Sequence, residues 1–371
     1  MKKRVVIAGL GDTGLLVALA LHPEFEVVGV SPKPCLVSGQ ELGSRLAKPD
    51  EWRRNYLVAF PRYRRLAGMA VRHGLLTRLE PEHDRVFVEG RDGVEETISY
   101  DALVLSMGVT NGFWRNAELQ GREDIERGID GPAAELAAAE SIAVVGGGAT
   151  GVSAASNLAQ AHPRTRVTLC FAQDEILPGY HPRVRKAVTT RLEQQGVELR
   201  PGHRAAMPPG FFGERLTREP LVFVSGQPPF RADVVLWAVG KQKPNTAFVP
   251  PSMLDERGYV RADRNLRVPG FANVFTVGDV AASDPNRSSA RNSGFVTVAH
   301  NVRSTLGGRD ADMKSYKATT HRWGSILGVQ KDGLRVFAPT GFSVRIGAFW
   351  VERLLFPLVV RRGLYKGIDE E

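Results

Sequence analysis

Glycines 9, 11 and 14 stand in G-x-G-x-x-G spacing, in the stretch Gly9-Leu10-Gly11-Asp12-Thr13-Gly14. Each glycine has its own task. The first permits a tight turn, the second lets backbone approach a pyrophosphate, and the third allows close helix–strand packing. The N–H groups and positive dipole end of the following helix then face the phosphates. The spacing recurs at Gly146, Gly148 and Gly151, with Ala149 and Thr150 between the last two. Two such turns, each between an apolar run and a helical stretch, predict two bound dinucleotides. A third element is Gly278-Asp279, closing the run Val274–Val277. A carboxylate at a strand end beside a helix N-terminus suits a polyol hydroxyl, such as a flavin ribityl chain.

Around these turns the usual selectors are missing. A ribose-binding acid is expected about 20 residues after the first turn, but the chain has Ser31-Pro32-Lys33 there. Ser31 can make one hydrogen bond to a ribose, and Lys33 can lie against an adenosine. After the second turn the same place falls at Phe171-Ala172. Neither an acid nor an arginine stands there, so both NADH and NADPH remain open. Arg183, Arg185 and Lys186 lie downstream and read as surface charge or as a reach toward a phosphate. The eight histidines form no metal pattern. His300 is the one to test, against the plainer reading of a core or surface histidine. No side-chain acid or base is nominated as catalytic, because hydride transfer between dinucleotides requires none.

The elements that would hold these residues follow from periodicity. Apolar runs at 4–8, 26–30, 102–106, 141–145, 166–171, 234–239 and 273–277 read as buried strands. Helices are expected at 15–21, 41–75 (ending near Gly74), 133–140, 152–161 and 294–306. Residues 86–88 and 97–100 are expected to pair around the Asp92-Gly93 turn. The run 234–239 ends in Gly240. The order strand, glycine turn, helix, strand thus occurs twice, in a chain of 371 residues that exceeds a single core.

Net charge is +9, mostly from arginine, which suits phosphate ligands and anionic membrane surfaces. No nucleic-acid motif accompanies it. The arginine-rich stretch 53–65 reads as a solvated or core-lining face or as a docking patch. The two cysteines, Cys35 and Cys170, form no CxxC, which argues against a dithiol centre and fits a reducing, cytoplasmic setting. Asp12 interrupts the apolar N-terminal stretch, which argues against a signal peptide.

With these motifs in order, the sequence resembles the pyridine nucleotide–disulfide oxidoreductase superfamily of flavoproteins. The residues carrying the likeness are GLGDTG (9–14), YDALVLSMG (100–108), VVGGGATG (144–151), VVLWAVG (234–240) and NVFTVGD (273–279). The resemblance implies an α/β fold of two Rossmann-like dinucleotide-binding domains, one inserted in the other. It implies a discontinuous FAD domain, 1–115 and 250–310, an NAD(P)H domain, 116–249, and a small C-terminal segment, 311–371. FAD pyrophosphate would sit at Gly11–Gly14 and the ribityl chain at Asp279. Leu76, Ser106, Gly108, Gly294 and Phe295 would lie around the flavin. Length and the missing dithiol resemble the apoptosis-inducing-factor-like group, with its ferroptosis-suppressor quinone reductases and the similar type II NADH dehydrogenases. Two departures stand out. Ser153 occupies a place where the family often has Glu, and Ser288–Ser293 replaces a glutamine-rich quinone motif.

Ile346, Trp350 and Leu354 fall at i, i+4 and i+8 with Phe349 beside them, and five basic residues against one acid lie between 341 and 368. That profile predicts an amphipathic helix, ended by Pro357, that caps the flavin domain, forms a homodimer or lies on a membrane. The expected activity is hydride transfer from NAD(P)H to FAD, then electron transfer to a small acceptor, with a quinone first. A ferredoxin or oxygenase partner is the alternative, and a low-turnover flavin sensor or scaffold the third.

Overall fold

The computed structural model describes residues 2–369 except 40–41, 113–114, 212, 214, 240–241 and 287–289. Gly240, Ser288 and Ser289 therefore lie outside the described residues. The fold is α/β. The first apolar run forms the strand Arg4–Ala8, flanked in parallel by Glu26–Ser31 and Ala102–Leu105. Val5, Val6, Ile7 and Ala8 are all fully buried, as expected for a parallel strand covered on both faces. Val274–Thr276 adds in parallel beyond Ala102–Leu105. The chain thus returns to its first sheet after building a second one. Helices Asp12–Leu21 and Ala290–Leu306 pack on this sheet through Leu15, Val17, Val298 and Val302.

The second sheet repeats the plan. Ser141–Val145 lies between Arg166–Cys170 and Val234–Trp237, all parallel, with Glu198–Arg200 beyond and Arg215–Thr217 antiparallel at the other edge. Helix Ala149–Ala161 follows its turn. The two units are stitched by a short antiparallel pair, Val109–Thr110 against Lys243–Pro244.

Residues 41–75 are not one helix. Helices Leu42–Ala47 and Pro49–Tyr56 are followed by the short strand Leu57–Ala59, a turn at Phe60–Arg62 containing Pro61, and the strand Ala70–Glu80, which holds Gly74. That last strand pairs in parallel with Glu26–Ser31 and antiparallel with Arg85–Gly90, whose other neighbour is Glu95–Ser99. The gain from joining a sheet on both sides overrides helix propensity. Several arginines of this stretch have partners within the chain. Arg53 pairs with Asp130 and Asp50, Arg64 with Asp369, and Arg65 donates to the Leu19 carbonyl.

The C-terminal expectation is also corrected. Ile346 ends the strand Ser343–Ile346 of a three-stranded antiparallel sheet with Gly324–Gln330 and Gly333–Phe337. A helix begins only after Gly347, at Ala348–Trp350, and runs on as a wide helix, Val351–Leu364, with Pro357 inside it. Widening to i→i+5 bonding, as from Tyr365 N–H to Val360 carbonyl at 3.0 Å, moves the carbonyl that would clash with the pyrrolidine ring. The small sheet packs through Ile326 and Phe337 on the second unit, while Val360, Leu364 and Tyr365 pack on the first. Buried Gln330 anchors it further, donating to the Asn157 amide oxygen at 3.4 Å and accepting from Ser156 at 3.2 Å. Among the described residues no helix is long and apolar enough to cross a membrane.

Candidate functional site

Both glycine turns open onto one cavity of about 1410 Å3. The two turns are built alike. Gly9 N–H donates to the Val30 carbonyl at 2.9 Å, and Gly146 N–H to the Cys170 carbonyl at 2.8 Å. Both glycines hold positive φ, 97° and 127°, which a side chain would strain. Gly14 and Gly151 lie so close to the turn that a Cβ on either would meet the carbonyl oxygen of Gly9 at 1.9 Å or of Gly146 at 2.0 Å. At Gly11 and Gly148 the opposite holds. A Cβ there would meet nothing within 4 Å, and both residues line the cavity. Each begins a helix that no side chain caps. First-turn N–H groups lack intrahelical partners, so each turn offers donors, a positive dipole end and open space where a pyrophosphate fits.

The other predicted residues sort clearly. Asp12, Thr13, Ser31, Lys33, Leu76, Ser106, Gly108, Ala149, Thr150, Gly278 and Asp279 line the same cavity as Gly9, Gly11 and Gly148. Gly14, Gly146 and Gly151 stand behind it as packing positions. Gly294 and Phe295 are not among its lining residues. Gly294 lies against Val277, Leu266 and Tyr316, and Phe295 joins the core of the first unit. His300 is likewise away from the cavity, bonded to the Asp312 carbonyl at 2.9 Å. Arg185 pairs with Glu175 at 2.5 Å.

Polar groups around the first turn are held in place. The Ser106 hydroxyl lies 2.9 Å from the Gly9 carbonyl, to which it donates. Asp12 accepts from the Ser38 hydroxyl at 2.5 Å and the Gly39 N–H at 2.7 Å. The Ser31 hydroxyl accepts from Lys33 N–H at 3.2 Å, which leaves its own proton to donate. Lys33 Nζ donates to the carbonyl and side-chain oxygens of Asn116 at 3.0 and 3.1 Å. Burial pushes the Lys33 ammonium down to about 8, and the Arg45 guanidinium adds to the fall. Ser153 is buried at a helix crossing, where a Cβ on Gly43 would meet its carbonyl oxygen at 2.3 Å. The same Cβ would meet the Ser153 hydroxyl oxygen at 2.5 Å, so the space beside that side chain is already taken by helix Leu42–Ala47, which suits a small residue where the resemblance predicts Glu.

Sequence reasoning missed Arg115, whose Nη1 lies 3.1 Å from Asp279 Oδ2 within the cavity wall. It also missed Asn245, which accepts from the Thr110 hydroxyl at 2.7 Å and donates to the Met107 carbonyl at 3.0 Å. Tyr180 and Trp323 also line the cavity. None of these carries a motif. They arrive from loops whose position only the tertiary fold sets. Cys35 and Cys170 are both buried, in separate clusters, and burial pushes each thiol up to about 11. They form no dithiol centre.

The model of the pyridine nucleotide-disulphide oxidoreductase family matches residues 3–302. Apoptosis-inducing factor homolog B of Dictyostelium discoideum is 23% identical over 359 residues, covering 91% of this chain and 90% of its own. Among solved structures, reduced CoADR-RHD of Bacillus anthracis superposes with a TM-score of 0.68 at 16% identity, covering 96% of this chain and 64% of its own. The putidaredoxin reductase in a covalent complex with putidaredoxin gives a TM-score of 0.63 at 19% identity, covering 96% and 93%.

Proposed function

The chain belongs to the pyridine nucleotide-disulphide oxidoreductase family, an oxidoreductase family whose cofactors are FAD and NAD(P)H, and from that premise we propose that it is an NAD(P)H:quinone reductase. The Gly9–Gly14 turn would hold FAD, with Asp279 available to its ribityl hydroxyls, and the Gly146–Gly151 turn would hold the nicotinamide dinucleotide. The observation that carries this is the single cavity onto which both turns open. Bound FAD would supply the two-electron chemistry that links NAD(P)H oxidation to reduction of the acceptor. The protein's own residues bind and orient. Gly11 and Gly148 admit the pyrophosphates, Asp279 accepts from ribityl hydroxyls, Arg115 holds Asp279, and Tyr180 and Trp323 limit water at the nicotinamide side. On this reading the FAD part comprises 1–115 and 250–310, and the NAD(P)H part 116–249.

Anaerobic mixing with NADH or NADPH tests the first half. Bleaching of the yellow protein by either one within turnover time is expected, and no bleaching by both would leave only the sensor reading. For the second half, a ubiquinone analogue should reoxidise the flavin faster than oxygen does; equal rates would remove the quinone. A redox-protein acceptor is the second reading. It draws on the putidaredoxin complex of a chain with this fold and on the surplus of arginine.

Phe349, Trp350, Leu354, Leu358 and Val359 are exposed along the C-terminal helix, with Arg353, Arg361 and Arg362 interspersed. This face is read as the contact with an anionic membrane surface, where a quinone would be met. Trp350→Glu is expected to abolish cosedimentation with phosphatidylglycerol vesicles and spare bleaching. Unchanged cosedimentation would refute the contact.

Lys33 gives a pH signature. Without cofactor, burial favours its neutral amine above pH 8. The negative charge of a pyrophosphate held at Gly11 in the same cavity favours the ammonium, so binding above that pH takes up a proton. FAD affinity is expected to be level below pH 8 and to fall above it, by at most about tenfold per pH unit. Lys33→Met should flatten the curve, as read by quenching of flavin fluorescence on binding.

A further inference from the structure

A second cavity of about 530 Å3 lies apart from the dinucleotide cavity, between helix Pro182–Gln194 and the C-terminal three-stranded sheet. Its charged lining is Arg183, Lys186, Arg191, Arg335 and Arg345 against the single carboxylate of Asp332. Asp332 is already shared, between Arg191 at 2.9 Å and Arg345 at 2.6 Å. Arg183 and Lys186 make no ion pair among the described residues. They project from one helix face, three positions apart.

The sheet supplies an independent observation. Arg335 and Arg345 are direct cross-strand partners, and both line the cavity. Like charges placed opposite each other on one sheet face destabilise the pair. Of these two, Asp332 answers only Arg345, while Arg335 makes no ion pair among the described residues. Arg335 Nε donates to the Ser343 hydroxyl at 3.0 Å, and its guanidinium stacks 5.0 Å from the Phe337 ring. Its planar fork is therefore oriented before any ligand arrives. Oriented guanidinium groups in a concave wall match phosphate oxygens, and the groove walls concentrate the field.

We propose that this cavity is a phosphoryl-anion site, formed by Arg335 and Arg345 from the sheet and by Arg183 and Lys186 from the facing helix. The phosphoryl group belongs either to a free phosphate compound or to a lipid headgroup. The proposal does not depend on the electron acceptor, since none of these four residues lines the dinucleotide cavity.

The test uses FAD-loaded protein saturated with NAD+, so that both turns are filled. One arm titrates inorganic pyrophosphate by calorimetry. The other sediments the protein with vesicles of phosphatidylcholine, alone or mixed with phosphatidylglycerol. Binding in at least one arm is expected, with a loss of tenfold or more in the Arg335→Ala/Arg345→Ala variant and again in Arg183→Ala/Lys186→Ala. Flavin bleaching by NAD(P)H should be unchanged in both variants, which shows them folded. Pyrophosphate binding identifies a free ligand, and vesicle binding without it identifies a headgroup only where both variants lose it, because the Trp350 face contacts vesicles independently. No binding in either arm, or equal binding by the variants, overturns the site.

Discussion

A valine at position 148 is expected to leave the protein folded and yellow while raising the NAD(P)H concentration needed for bleaching at least about 100-fold, or about 2.7 kcal/mol. The counterpart, Gly11→Val, should give a colourless protein that no longer retains FAD. Both glycines have φ near −75°, which any residue adopts, and a Cβ on either meets nothing within 4 Å. Strain and overpacking are thus absent, and the added side chain occupies only the space above an uncapped helix N-terminus. The third glycines behave differently. Gly14→Ala and Gly151→Ala would drive a methyl into a carbonyl oxygen, costing about 1–3 kcal/mol of stability, visible as a lower Tm without cofactor. Four variants thus separate binding from folding at each turn. If Gly148→Val loses FAD and Gly11→Val retains it, the two assignments are reversed.

The turns were legible because their chemistry is local. A glycine triplet, an apolar run before it and a helix after it lie within about twenty residues. The return of Val274–Thr276 to the first sheet followed from motif order in the resemblance, since nothing local in that run names its neighbour. Residues 41–75 were misread because arginine, leucine and alanine favour a helix, while pairing with Glu26–Ser31 and Arg85–Gly90 decides the outcome. The helical spacing of Ile346, Trp350 and Leu354 is interrupted by Gly347, where the helix begins. Pro357 ends a helix only under i→i+4 bonding, and the helix around it is wider. Arg115 was illegible for another reason. Its only distinction is its distance to Asp279, a residue 164 positions away.

That pair carries the second large effect. Asp279→Ala is expected to weaken FAD binding by about 100-fold or more. Hydrogen bonds to a charged group are worth about 1.5–3 kcal/mol each, and a carboxylate can accept from two ribityl hydroxyls. Arg115→Ala should cost less, about tenfold, because it acts by holding the carboxylate in place. The Arg115 Nη1–Asp279 Oδ2 distance of 3.1 Å and the partial burial of both side chains favour such coupling. Exposure of about a quarter keeps the pair's own worth to the fold small, about 1 kcal/mol or less. The double variant distinguishes positioning from independent contact. If Arg115 works only through Asp279, removing it from the Asp279→Ala protein has no further effect on FAD affinity, and the double-mutant cycle shows full coupling. Additive losses would mean that Arg115 touches the cofactor itself. Full FAD retention by Asp279→Ala would remove Asp279 from the site and, with it, the assignment of the first turn to FAD.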